Sequence, residues 1–223
     1  MKTKDEMAMI KHHLSDRLLM AYSAGTLPEA FNLVVATHIS LCAECRARLG
    51  SFDAIGGALL EKVDASAEMS PETLSQTLAR LKVQGESPRE PAAQVTDKVL
   101  PQPLRAYLDG GIEAVKWRAV GGGVRQVVLP TSDHASARLL RIPAGTAVPD
   151  HGHRGLELTL VLQGAFSDEA DRFGRGDIEI ADEELHHTPV AEPGEDCICL
   201  AATDAPLKFK GLLPRLAQPF LRI

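Results

Sequence analysis

Residues 145–164 read GTAVPDHGHRGLELTLVLQG, and this stretch decides what kind of fold the second half of the chain adopts. His151 and His153 lie two positions apart, so on an extended segment both imidazoles project from one face. Glu157 follows the kink at Arg154 and Gly155 and can turn its carboxylate to the same side, and Gly164 falls where a turn would end the run. Imidazoles and a carboxylate facing inward from strands make a hard metal site inside a β fold.

Working outward, the apolar period is two on both sides of this stretch. Segments 114–120, 125–129, 137–142, 157–166, 177–180 and 197–203 alternate with Gly, Pro and Asp turns, which predicts an all-β sandwich or barrel. The run Gly121, Gly122, Gly123 lacks the Lys and Ser/Thr of a phosphate loop and reads as a turn. From about residue 15 to 83 the period is helical instead. Ser15 caps a helix carrying Leu18, Leu19 and Tyr22, which Gly25 stops. Pro28 opens a second helix with Phe31, Val34, Val35 and Ile39. A third runs from near Cys42 through Leu49, Phe52, Ile55 and Leu59 to about Val63, and Ser70, Pro71 and Glu72 open a fourth. On that fourth helix Leu74, Leu78 and Leu81 share one face, either a core stripe or a face offered to a partner. Pro88, Pro91, Pro101 and Pro103 punctuate a polar stretch that reads as a linker. The expected organisation is therefore a helical unit at 1–85, a linker at 86–103 and a β unit at 104–223.

A chain of 223 residues with a formal charge of −6 does not suit nucleic acid, since phosphate recognition needs clustered Lys and Arg. Residues 1–85 carry 9 basic against 10 acidic side chains and 86–223 carry 15 against 20, so the front half is not an acidic decoy. The first 13 residues hold no apolar core of signal-peptide length, and no apolar run reaches the ~18 residues of a spanning helix, so a soluble, cytoplasmic protein is expected.

The four cysteines come as two close pairs. His38, Cys42 and Cys45 fall at i, i+4 and i+7, so their side chains converge within one or two helical turns if two helices meet near Cys42. Two thiolates and an imidazole suit tetrahedral Zn2+. The fourth ligand would come from His12 or His13, just ahead of the first helix. The plainer alternative is a pair of buried helix cysteines beside a surface histidine; the nearby histidine pair favours zinc, which would also brace a small helical core. Cys197 and Cys199 alternate with Ile198 and Leu200, so both thiols point to one face. They read as small buried side chains before they read as oxidisable groups lining a pocket.

The spacing from Gly145 through His151, His153 and Glu157 to Gly164 matches the first sequence motif of the cupin superfamily. The second motif is looser, with Gly174, Gly176, Asp177 and then His186 or His187. The whole chain resembles the ChrR-type zinc-binding anti-sigma factors, on HHLSD at 12–16, AGTL at 24–27, VVATHISLC at 34–42 and PDHGHRGLELT at 149–159. The resemblance implies a two-domain protein, an all-α four-helix zinc-binding domain followed by an all-β cupin domain built as a jelly-roll barrel. It implies His13, His38, Cys42 and Cys45 as ligands of Zn2+, and His151, His153, Glu157 and His187 as ligands of a second divalent metal, with zinc the expected ion. It further implies a non-enzymatic protein that binds an extracytoplasmic-function sigma factor one to one, holds it from core RNA polymerase, and releases it under oxidative stress such as singlet oxygen. The alternative from another class is a cupin metalloenzyme, a dioxygenase or isomerase with an accessory helical module, but no general acid or base stands out beyond the ligands themselves.

Overall fold

A computed structural model describes residues 9–63, 70–83, 97–152, 154–206 and 208–209. Helix α1 (Asp16–Ser23) starts where the Ser15 hydroxyl accepts from the Leu18 amide, with Asp16 in the first turn where the helix dipole favours an anion. Gly25, at φ +66°, ends it. Pro28 sits one residue ahead of α2 (Glu29–Leu41), and Cys42 stands both at the end of α2 and at the N-cap of α3 (Ala43–Leu60). Helix α4 spans Pro71–Val83, and a single turn, α5, spans Gln102–Arg105. Among the described residues no helix is long and apolar enough to cross a membrane.

Helix α2 has little one-sidedness because it is covered nearly all round. Ala30, Phe31, Leu33, Val34, Val35, Thr37 and His38 are buried, between α1, α3 and α5 and a β-sheet. By contrast α3 buries only Cys45 and Leu49. Ile55, Leu59 and Leu60 at its far end and Val63 just past it are exposed, as are Leu74, Leu78 and Leu81 on α4.

The strands are β1 (Arg118–Gly121), β2 (Val124–Val128), β3 (Ser136–Ile142), β4 (His151–Gly152), β5 (Glu157–Gln163), β6 (Ala165–Ser167), β7 (Arg172–Gly174), β8 (Ile178–Ala181), β9 (His186–His187), β10 (Val190–Ala191), β11 (Cys197–Thr203) and β12 (Lys208–Phe209). They do not close into the expected jelly-roll barrel. Among the described residues they form a six-stranded sheet in the order β1-β2-β3-β11-β5-β8 and two three-stranded sheets, β10-β6-β7 and β12-β4-β9. The short sheets are made of strands of two or three residues. Such strands lack the length to carry a hydrogen-bonded ladder from one edge of the large sheet round to the other, which is what closure requires.

Register assigns each face of the large sheet. Leu158 and Leu160 on β5, Leu200 and Ala202 on β11 and Leu139 on β3 pair across the strands. They share one core with Val34, Val35 and Leu19 of the helices and with Leu100 and Leu104. The opposite face carries Cys197, Cys199, Val161 and Ile142, packed with Phe166 and Phe173 of a short sheet. Because both faces are covered, β5 and β11 are buried almost throughout instead of alternating in and out. Asp97, Leu100 and Leu104, at the end of the expected linker and just beyond it, are part of this packing: Asp97 accepts the Val99, Leu100 and Ile112 amides, and both leucines are fully buried.

Candidate metal centres

The first centre lies where α2 passes into α3. A side chain one turn before the end of α2, the residue at the joint and one in the first turn of α3 face a common point, so His38, Cys42 and Cys45 meet there. His13 arrives from the segment ahead of α1. The His38 Nε2 is 3.3 Å from Cys45 Sγ, and His13 Nδ1 is 3.3 Å from Cys42 Sγ and 3.7 Å from Cys45 Sγ. All four ligand atoms lie within 4.8 Å of one another. Ligands at tetrahedral Zn–S and Zn–N lengths are about 3.6 Å apart, so the four atoms have room for one such ion. The other nitrogen of His13 lies 3.3 Å from the Glu44 carboxylate, the outer contact that fixes the tautomer of a metal-bound imidazole.

Burial tunes these donors. Loss of solvation lowers the His38 pKa to about 4, so its ring is neutral and its lone pair available at pH 7. Burial, reinforced by Cys42, raises the Cys45 thiol to about 11. A thiol so held gives up its proton only when a cation takes its place. Of the two candidate fourth donors, His13 joins this cluster, whereas His12 turns away and places its Nε2 3.1 Å from Asp171.

The second centre is in the β half. His151 and His187 are register partners on β4 and β9, and their ring centroids are 4.8 Å apart. His186, one residue off, is exposed. His151 Nδ1 is 2.9 Å from the Pro149 carbonyl. His187 Nδ1 is 3.1 Å from Asp168 Oδ2 and 3.0 Å from Glu179 Oε1. Each ring thus engages the protein through Nδ1, a contact that orients the imidazole. Asp168, Glu179 and His187 also form a compact set able to hold a cation by themselves. Glu157, at the head of β5, accepts from the Thr159 hydroxyl at 3.1 Å and is outside that set. His153 lies outside the described residues.

Asp168 and Glu179 were not found from the sequence. Glu179 is an acid between Ile178 and Ile180 on a strand, the signal that could have flagged it; Asp168 sits in the acidic turn after β6 and carries none. Burial raises the Glu179 pKa, while Asp168 is held low despite burial by the Asp171 and Ala170 amides and His187. His187 is pulled down by burial, but its hydrogen bond and charge contact with Glu179, then those with Asp168, raise it to about 9. The buried Arg138 places a cation on the same face, 3.3 Å from Gln126 Oε1. Cys197 and Cys199 are buried with sulfurs 3.5 Å apart, and the Cys199 pKa is raised well above the ordinary thiol value by its hydrogen bond with Cys197 and by burial. Two such clusters, one with thiolates and one with imidazole and carboxylates, can each coordinate a metal ion.

Comparison with known proteins places this geometry. The family model of the ChrR cupin-like domain matches residues 110–206. The anti-sigma-E factor ChrR of Cereibacter sphaeroides is 63% identical over 214 residues, covering 96% of this chain and 99% of that protein. The crystal structure of Rhodobacter sphaeroides SigE in complex with the anti-sigma ChrR aligns with a TM-score of 0.78 at 61% identity, covering 88% of this chain and 100% of the matched one. With a helical thiolate centre, a β half bearing the matched domain and this identity from end to end, the chain belongs to the ChrR family of anti-sigma factors.

Proposed function

We propose that this chain binds an extracytoplasmic-function sigma factor one to one in the cytoplasm, keeps it from core RNA polymerase, and releases it under oxidative stress such as singlet oxygen. The chain acts by binding and not by catalysis. The observation that carries this reading is the 61% identical, TM 0.78 match to the anti-sigma ChrR complexed with SigE. The exposed Leu74, Leu78 and Leu81 of α4, with Ile55 and Leu59 of α3, supply an apolar surface of the kind that partner helices bury. Affinity would come from that burial more than from charge.

In this reading residues 1–85 are the sigma-binding domain, 86–103 join it to the rest, and 104–223 form the sensing half. His13, His38, Cys42 and Cys45 hold Zn2+, and their donor set, separations and neutral His38 support that ion. The imidazoles of His151 and His187, with His153 and Glu157, hold a second divalent ion, most simply zinc as well. When bound, that ion would supply a redox-inert, proton-displacing cross-link among strands. The residues themselves orient the imidazoles and keep solvent out.

The test is co-production of the full chain with each extracytoplasmic-function sigma factor of its own host, followed by affinity capture and metal analysis. One sigma factor should co-purify in equimolar amount, and Cys42→Ala or Cys45→Ala should lose both zinc and capture. Absence of any sigma factor from the captured material would overturn the binding reading, and capture by metal-free variants would overturn the role of zinc.

A further inference from the structure

Residues 10–13 tie the helical centre to the β half, and Asp177 makes the tie. This buried side chain stands in the turn between β7 and β8. Its Oδ2 accepts from the Gly174 amide at 2.9 Å and closes the turn. Its Oδ1 accepts from two amides far away in sequence, Lys11 at 2.6 Å and His12 at 2.9 Å. The His12 carbonyl accepts in return from the Ile178 amide. The His12 ring packs on Phe173 with centroids 4.3 Å apart. Gly176, which lacks a Cβ, makes room for Ile10; a methyl group there would meet Ile10 carbons at 2.6 Å.

The next residue along this strap is His13, whose Nδ1 faces the two sulfurs. The same turn reaches the second imidazole of the centre. The Gly176 carbonyl bears on His38, whose Nδ1 has no partner with full hydrogen-bond geometry among the described residues. His13 precedes α1 and belongs to no helix or strand, so no ladder of its own holds its backbone on the N-terminal side, and metal binding would otherwise bear part of the entropy of fixing it. A carboxylate that captures the two preceding amides removes that cost in advance. Asp177 also stands two residues before Glu179, which contacts His187, so one short segment touches both centres.

We propose that Asp177 is a positioning residue for the thiolate centre: by holding the Lys11 and His12 amides it presets His13, so the β half sets how tightly the helical half retains its metal. This rests on reading His13, His38, Cys42 and Cys45 as a metal site.

The experiment titrates the metal-free, reduced full chain with Co2+ and follows the thiolate-to-cobalt absorption, which reports the cysteine centre and not the imidazole and carboxylate one. Asp177→Ala should weaken Co2+ binding at least tenfold, and so should His13→Ala. The Asp177→Ala, His13→Ala double variant should be no weaker than His13→Ala alone, because Asp177 acts through His13. Asp177→Asn, which keeps an acceptor oxygen, should recover part of the loss. Lys11→Pro deletes one captured amide while leaving the β half untouched, so it should weaken binding in the same direction even if Asp177→Ala folds poorly. Unchanged affinity in Lys11→Pro and in a folded Asp177→Ala would overturn the proposal, as would additive losses in the double variant. A parental chain with no thiolate band would instead sink the metal-site reading, and this inference with it.

Discussion

His187 and Glu179 form a buried pair, with Nδ1 3.0 Å from Oε1, and Asp168 approaches the same nitrogen at 3.1 Å. The pair stabilises the protonated ring, whose pKa of about 9 exceeds the ordinary 6.5. In the metal-free site this stabilisation is complete below pH 6.5 and is lost as pH rises through 9. A metal needs the neutral ring, so its affinity gains over the same window. With zinc left on the thiolate centre, Mn2+ binding to the β half, read by electron paramagnetic resonance, should strengthen up to about tenfold per pH unit between 6.5 and 9 and then level off. Glu179→Gln should weaken binding by about 10- to 100-fold and move the plateau to lower pH. A flat profile would refute the pairing.

At the thiolate centre, Cys45 is fully buried and its proton is held tightly. Cys45→Ser should therefore lose zinc on purification and lower the thermal midpoint, whereas chelator-treated parental and variant chains should melt within a degree or two of each other. Metal content by mass spectrometry and a thermal melt decide this. A large difference that persists after chelation would mean the thiol acts by packing alone.

The core joins α2 to the large sheet without a break. Leu160→Ala, at a fully buried position of β5, should cost about 2–5 kcal/mol. In urea, helical circular dichroism and the fluorescence of Trp117, the chain's one tryptophan, should change together in the parental chain. Two separated transitions would show that the halves fold independently.

The leucines of α4 are a different case, since Leu74 is 64% and Leu78 48% exposed. Replacing both with Asp should change the stability of the free chain by no more than about 0.5 kcal/mol per site, yet abolish capture of the sigma factor. Loss of stability on the scale of a core substitution would place them inside the fold instead.

Gly164 has φ +67°, and an added Cβ would stand 2.9 Å from the Asp196 carbonyl oxygen. Gly164→Ala should destabilise by about 1–3 kcal/mol, measured by urea denaturation. A neutral outcome would show that the β5–β6 turn relaxes freely.

Much of this arrangement is legible along the chain. Ser15, Gly25, Pro28 and Pro71 punctuate the helices because caps and stops act on neighbouring residues. The i, i+4, i+7 spacing of His38, Cys42 and Cys45 brings donors together across a single helix joint. Barrel closure was not legible, because it depends on whether distant strands are long enough to pair, and here the short sheets are not. Asp168 and Glu179 escaped because they reach His187 from elsewhere in the fold, Glu179 from β8 and Asp168 from the turn after β6, 19 positions earlier in the chain.

By itself the sequence determined the helical and extended stretches, the chemical character of each donor set and the family, since propensity, capping and ligand type are properties of residues and their immediate neighbours. Residue spacing left His12 and His13 both open, the resemblance named His13, and the tertiary structure turns His13 to the sulfurs; only the tertiary structure decided that the helices and the large sheet share one core and that the sheets stay open. Those outcomes turn on contacts such as Lys11 to Asp177, 166 residues apart, whose geometry exists only once the chain has packed.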